Sequence, residues 1–283
     1  MEIFKTIAEI REFVSSKRQA GAEIGFVPTM GYLHEGHLSL MSTAEEENDV
    51  VVASIFVNPT QFGPGEDYEE YPRDLERDAD YAANVGVDAI FAPDVNEMYN
   101  PDHATKFELA GITEKLCGAS RPGHFSGVCT IVTKLFNIIN PDRAYFGQKD
   151  AQQVLVIKKL VAELNFNLEI RTVPIVREED GLAVSSRNKN LQKEERKAAT
   201  VLYESLQLAQ AEIEAGTRDT AVIKEKMTNL IEQEALAEID YIELVDQNSL
   251  EELARVKGKI LIAIAVYIGD IRLIDNLMME VQV

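Results

Sequence analysis

Along the first part of the chain, short apolar runs alternate with longer stretches whose apolar residues recur every three or four positions. The runs read as strands and the stretches as helices. Residues 24–27 read as a strand, and residues 37–47 as a helix with Leu38, Met41 and Ala44 on one face. Residues 50–57 are apolar almost throughout, as in a parallel strand covered on both faces. The alternation continues with a helix over 74–85, a short strand over 89–92 and an apolar helix over 126–139 stopped by Pro141. A strand over 144–146, a helix over 150–164 and a strand over 168–173 follow. This βαβ repetition predicts an α/β fold with a doubly wound parallel sheet and right-handed crossovers.

After about Val176 the pattern changes. Residues 191–215 and 220–237 read as two long helices around a turn at Gly216. Strands over 239–245, 259–267 and 271–277 come next, the last two joined by a Gly269-Asp270 hairpin turn. The expected organisation is a first domain over 1–176 and a smaller α+β domain over 177–283. No internal repeat or low-complexity linker interrupts it.

Composition narrows the function classes. Of 283 residues, 27% are charged and 46% hydrophobic, an ordinary globular balance. With 28 Lys and Arg against 48 Asp and Glu, the formal net charge is -20. That disfavours a nucleic-acid partner, because phosphate backbones are bound by clustered Lys and Arg, and it disfavours anionic membrane surfaces. Small anionic ligands stay open, since local charge decides them. Cys117 and Cys129 form no CxxC pair, so thiol metal and redox motifs lack support; incidental thiols in a reducing compartment are expected. The opening MEIFKTIAEIREF mixes charges into its apolar positions and lacks a signal-peptide core. The apolar run over 260–268 is too short to cross a bilayer. A cytoplasmic location is the expectation.

Four segments carry candidate chemistry. In the first, the strand over 24–27 runs into Met30-Gly31-Tyr32-Leu33-His34-Glu35-Gly36-His37 and then a helix. Two imidazoles and backbone N–H groups at a helix N-terminus suit an anion; packing or surface histidines are the plain alternative. Zinc is a weaker reading, since His-Glu-x-x-His needs a spacing of four and here it is three. The chain has neither G-x-x-x-x-G-K-[ST] nor G-x-G-x-x-G, which leaves this turn as the phosphate-binding candidate. In the second segment, Asn58 and Gln61 in Asn-Pro-Thr-Gln follow the apolar strand. Amides both give and accept hydrogen bonds, which suits a ligand with hydroxyls and a carboxylate; an Asn-Pro turn is the alternative. The third pairs Arg121-Pro122-Gly123-His124-Phe125-Ser126-Gly127 with Gly147-Gln148-Lys149-Asp150, followed closely by Gln153. Lys149 at a helix start is unfavourable for the dipole unless an anion sits there. Asp150 is a helix cap or a metal ligand. In the fourth, Val184-Ser185-Ser186-Arg187 offers hydroxyls and a planar fork for phosphate oxygens, or simply a cap before a helix.

The His34-Glu35-Gly36-His37 turn resembles the H-x-G-H signature of nucleotidylyl transferases. Taken together, VPTMGYLHEGHLSL, FVNPTQFGPGEDYEEYPRD, RPGHFSGV, FGQKDAQQ and DGLAVSSRN resemble the pantoate–β-alanine ligase family over nearly the whole chain. The resemblance implies a Rossmann-like ATP- and pantoate-binding domain, with a C-terminal domain closing over the nucleotide, in a homodimer. It implies a reaction of pantoate, β-alanine and ATP, with Mg²⁺, that gives pantothenate, AMP and pyrophosphate through a pantoyl-adenylate. By resemblance, residues 30–37, 147–150, Val176 and residues 184–187 bind ATP, with His37, His34, Lys149 and Arg187 catalytic. Gln61, Gln153 and Asn58 bind pantoate. No protein metal ligand is assigned. Val184 stands where the family often has Met, and Ser-Ser-Arg stands where related synthetases carry a Lys-rich loop, a charge that Lys149 can supply. A transferase acting on a phosphorylated substrate would favour Arg or Lys over Gln61 and Gln153. A tRNA synthetase relative is disfavoured by charge. A non-catalytic ATP sensor is disfavoured by the retained His, Lys, Ser and Arg set.

Overall fold

Apolar Ile24, Phe26 and Val27 are fully buried in a strand that every neighbouring strand parallels. The computed structural model describes residues 1–282. Its strands are β1 (Glu2–Phe4), β2 (Ile24–Thr29), β3 (Val50–Ile55), β4 (Ala89–Phe91), β5 (Arg143–Gly147), β6 (Glu169–Val173), β7 (Ala237–Asp246), β8 (Gly258–Ile268) and β9 (Ile271–Val281). Its helices are α1 (Ile7–Gln19), α2 (Glu35–Glu47), α3 (Leu75–Asn84), α4 (Val95–Met98), α5 (Cys117–Ser120), α6 (His124–Ile139), α7 (Ala151–Glu163), α8 (Lys193–Ala198), α9 (Val201–Glu214) and α10 (Thr220–Ile231).

The expected parallel sheet is present, in the order β1-β4-β3-β2-β5-β6. From β2 the chain steps outward through β3 to β4, then returns to the other side of β2 for β5 and β6. The order therefore reverses between β2 and β5, which pair in parallel with Phe26 opposite Ala144. In open α/β sheets that reversal is where ligands bind, at the carboxyl ends of the strands. A second, antiparallel sheet runs β7-β8-β9. It packs an apolar face, with Ile260, Ile262, Ile264, Val266 and Ile268 buried, against residues of α9 and α10.

By contacts the chain forms two compact units. One holds Met1–Thr113, Arg121–Gln148 and Gln152–Pro174; the other holds Glu114–Ser120, Lys149–Ala151 and Ile175–Val283. The division is not a single cut near residue 176, because two short pieces of the first half pack with the second.

Several element boundaries differ from the sequence expectation. β1 and α1 were not expected; the short β1 pairs only with β4, and α1 starts from a capping box of Thr6 and Glu9. The long helix expected over 191–215 is two pieces, α8 and α9, and a short 3-10 turn at Ser186–Asn190 precedes them. The helix expected to reach Ala237 ends at Ile231, and Ala237 already belongs to β7. Asp150 sits in a 3-10 turn, Gln148–Asp150, ahead of α7.

Candidate active site

Three of the four segments lie just past the carboxyl ends of adjacent parallel strands. β2 ends at Thr29 and leads into Met30, β3 ends at Ile55 and leads to Asn58, and β5 ends at Gly147 and leads into Gln148.

The turn after β2 has an unusual backbone. Gly31 and Tyr32 both have positive φ, 84° and 49°, a conformation that costs a non-glycine residue energy unless its surroundings enforce it. The enforcing group is Asp78 on α3. Its carboxylate accepts the Tyr32 N–H at 2.6 Å and the Leu33 N–H at 2.7 Å. Arg77 beside it donates to the Leu33 carbonyl at 2.8 Å and lies 4.5 Å over the Tyr32 ring. Asp78 is 1% exposed. Burial pushes its carboxyl above the usual range, opposed by those two N–H bonds and by Arg77.

The turn delivers His34 in extended conformation as the residue capping α2, with no side-chain capping bond. His34 and His37 stack with ring centroids 4.0 Å apart. A Cβ on Gly36 would stand 3.0 Å from His34 Cε1, so Gly36 leaves the space that this stacking uses. The two imidazoles thus share one position at the positive end of a 13-residue helix.

The turn after β3 is held from several sides. Asn58 is 1% exposed. Its Oδ1 accepts from Tyr99 OH at 2.7 Å and Thr60 Oγ1 at 3.0 Å, and its Nδ2 donates to Gln61 Oε1 at 3.2 Å and the Gly127 carbonyl at 3.2 Å. Its polar atoms therefore all have protein partners, and it aims Gln61. Gln61 Nε2 in turn lies 3.0 Å from Met30 Sδ, joining the first segment to the second.

The Arg121–Gly127 motif braces this turn. His124 Nδ1 lies 2.8 Å from the Gln61 carbonyl. A Cβ on Gly127 would come within 2.3 Å of the Thr60 carbonyl oxygen, so only glycine lets α6 approach so closely. Arg121 grips Glu66 with two bonds of 2.8 and 2.6 Å. Its guanidinium holds the Glu66 carboxyl below the usual range. On α7, Gln152 is buried and donates to the Ile112 carbonyl at 2.7 Å, while Gln153 is half-buried.

The second unit carries the remaining candidates. Residues 176–184 form a small hairpin, with the Val184 N–H on the Val176 carbonyl at 3.0 Å and Arg177 bridging Ala183. Ser185 caps the turn that follows, its Oγ accepting from the Arg187 N–H at 3.3 Å. Lys149 and Asp150 belong to the same unit. Among the described residues no group of three or more His, Cys, Asp or Glu could hold a metal ion, and no helix is long and apolar enough to cross a membrane.

Sequence reasoning missed Asp78, Arg77, Tyr99 and the Arg121–Glu66 pair. Asp78 had a faint signal, as a charge on a face of α3 shared with buried Ala79 and Ala82.

A doubly wound sheet with the His34–His37 turn at its point of reversal defines the class: an α/β protein whose ligand crevice lies at the carboxyl ends of its parallel strands. The Pantoate-beta-alanine ligase family model matches residues 2–278. The chain belongs to that family. It is 57% identical to the pantothenate synthetase of Moorella thermoacetica, with all of both chains covered. It is 59% identical to that of Pelotomaculum thermopropionicum, over 98% of each chain. Among solved structures, the pantothenate synthetase of Thermus thermophilus aligns over all of both chains with TM-score 0.94 and 45% identity. The Francisella tularensis pantoate-β-alanine ligase, solved in complex with β-γ ATP and β-alanine, aligns with TM-score 0.81 and 38% identity. It covers 98% of this chain and 97% of that one.

Proposed function

We propose that this chain condenses pantoate with β-alanine at the expense of ATP, through an enzyme-bound pantoyl-adenylate. The family match over residues 2–278 carries this reading, and the turn at the sheet's point of reversal gives it a chemical location. A carboxylate is a poor acyl donor to an amine. In the first step the pantoate carboxylate attacks the α-phosphorus of ATP, a P–O bond forms and pyrophosphate leaves. In the second the β-alanine amine attacks the acyl carbon, an amide forms and AMP leaves, with one amine proton lost to solvent.

The first step brings two anions together, so positive charge and donors must be preorganised where the charge develops. His34, His37, Lys149, Ser185, Ser186 and Arg187 supply these, with the main chain of residues 30–37, 147–150, 176 and 184–187 around the nucleotide. This explains how a chain of net charge -20 serves ATP: the positive charge is local. Gln61 and Gln153 read pantoate, and Asn58 acts by fixing Gln61. Mg²⁺ enters as the MgATP substrate, since that ion is commonly held by phosphates with one or two carboxylates rather than by a protein cage. We also assign the chain a cytoplasmic location and a homodimeric state on the family reading. Pyrophosphate exchange tests the proposal. Pantoate alone should drive exchange of labelled pyrophosphate into ATP; a strict requirement for β-alanine would refute the adenylate.

A further inference from the structure

Strand β9 carries an anomaly. Ile271, Leu273, Leu277, Met279 and Val281 pack their alternate side chains into the core of the second unit. Asp275 occupies the same face by period and is 3% exposed. A carboxylate in an apolar face is costly unless its partners compensate. Its main partner is Arg177, bound through two bonds of 2.6 and 2.9 Å. Arg177 also donates to the Gly181 carbonyl at 3.0 Å and lies 4.2 Å over the Tyr203 ring. Arg177 and Gly181 are both in the hairpin over 176–184, whose return strand runs directly into Ser185. Asn188, just past Arg187, donates back to the Ala183 carbonyl at 3.0 Å. The carboxylate therefore reaches the Ser185–Arg187 turn through one rigid fork.

The next residue addresses a different segment. Asn276 is also 3% exposed. Its Nδ2 donates to the main-chain carbonyl of Lys149 at 2.9 Å, and its N–H donates to Asp275 Oδ1 at 2.7 Å. Successive residues of a strand point to opposite faces, so two neighbours on one strand hold two segments that lie far apart in sequence.

We propose that Asp275 and Asn276 are positioning residues for the reaction: Asn276 sets the Lys149 main chain, and Asp275, through Arg177, sets the turn that carries Ser185 and Arg187. The inference rests on the reading that Lys149 and Arg187 meet phosphate. Neither Asp275 nor Asn276 need touch a substrate.

The test is a pair of mutant cycles on the full chain, read as pantoate-dependent pyrophosphate exchange, with the thermal midpoint recorded for each variant. Asn276→Ala removes the donor without adding bulk, and Asn276→Leu keeps the volume. Each should lower kcat of exchange about 10- to 100-fold with KM for pantoate unchanged, the cost of displacing a group that acts on the transition state. Added to Lys149→Ala, Asn276→Ala should slow exchange no further. In the second cycle, Asp275→Asn should slow exchange in the wild-type background and have a clearly smaller effect beside Arg187→Ala, the remainder acting through Ser185. A merely structural role would instead multiply through in both backgrounds, and that result, or full kcat in the folded Asn276 variants, overturns the inference. Should the Asn276 variants fail to fold, the second cycle decides. Full exchange in Lys149→Ala or Arg187→Ala is a different outcome: it removes the phosphate-donor reading of that residue, and the inference falls with its premise.

Discussion

Two buried carboxylates make an instructive pair. In the first unit Asp78 is joined to Arg77, whose guanidinium lies over Tyr32. In the second, Asp275 is joined to Arg177, which lies over Tyr203. Both acids have side chains 1% exposed, and burial raises both against their ordinary range. The difference is what each one grips. Asp78 takes two backbone N–H groups of the signature turn directly. Asp275 takes the Arg177 side chain and the N–H of its own neighbour Asn276, and the loop backbone it orders through Arg177 is one step further away. A direct grip on main chain enforces φ/ψ, which is what a positive-φ Tyr32 needs. A grip through a guanidinium orients a loop whose positive-φ position is a glycine, Gly181, which adopts that conformation readily.

The largest effects should come from the groups that each arrangement presents. His37→Ala and Lys149→Ala should each slow adenylation at least about 10²–10³-fold with the fold intact, the usual cost of losing a preorganised donor to transition-state charge. Single-turnover adenylate formation measures this. Full activity in either variant would return that residue to a structural role and leave one side of the comparison without a catalytic purpose.

Stability separates the two acids next. Asp78→Ala leaves two backbone donors without their acceptor and Arg77 without its ion partner, and should cost about 3–5 kcal/mol in denaturant unfolding. Asp275→Ala should cost less, about 1–3 kcal/mol, because it strands one backbone N–H, that of Asn276, where Asp78→Ala strands two, and Arg177 keeps the Gly181 carbonyl and the Tyr203 ring. Equal costs, or the reverse order, would show that direct and relayed grips do not differ.

The two glutamines test whether the first unit's braced turn reads substrate. Gln61→Ala and Gln153→Ala should weaken pantoate binding about 10- to 100-fold, the worth of a hydrogen bond to a charged group, with ATP binding near normal by calorimetry. Equal loss of both ligands would mean that these amides shape the site instead.

The comparison also explains what was legible in the chain. The parallel sheet, and the segments after β2, β3 and β5, could be read because each is local: an apolar run, a glycine-marked turn and a helix start lie within about a dozen residues. What holds those segments could not. Asp78 lies 46 residues from Tyr32, and Asn276 lies 127 from Lys149; no periodicity links them. α1 was missed although Thr6 and Glu9 spell a capping box and Ile7, Ile10 and Val14 keep helical spacing between the charges. The helix expected over 191–215 failed for a different reason. Its apolar spacing continues across residues 199 and 200, but Ala199 and Thr200 close one helix and open another. Asp275 left a signal, an acid where alternation calls for an apolar residue, but its meaning needed the structure.

The smallest effect concerns acid. Glu66, in the loop between Gln61 and α3, is held below the ordinary carboxylate range, first by its bonds to Arg121 and further by the Arg121 and His124 charges, against the opposing cost of burial. A folded value below the unfolded one means that the stabilisation is complete above the ordinary glutamate range and is lost as pH falls through it and on through the folded value. Glu66 reaches the backbone of the Gln61 turn by relay, through Arg121 on the Gln61 carbonyl, and not by a direct grip like that of Asp78. Acid should therefore loosen residues 63–73 before it loosens the Asp78-clamped turn. Amide exchange between pH 6 and pH 3.5 should show protection falling first over 63–73, and Glu66→Gln should remove most of that pH dependence while costing little global stability. Simultaneous loss over residues 30–37 and 63–73 would mean that both turns open as one unit, and that the direct grip of Asp78 gives the signature turn no independence from its neighbour.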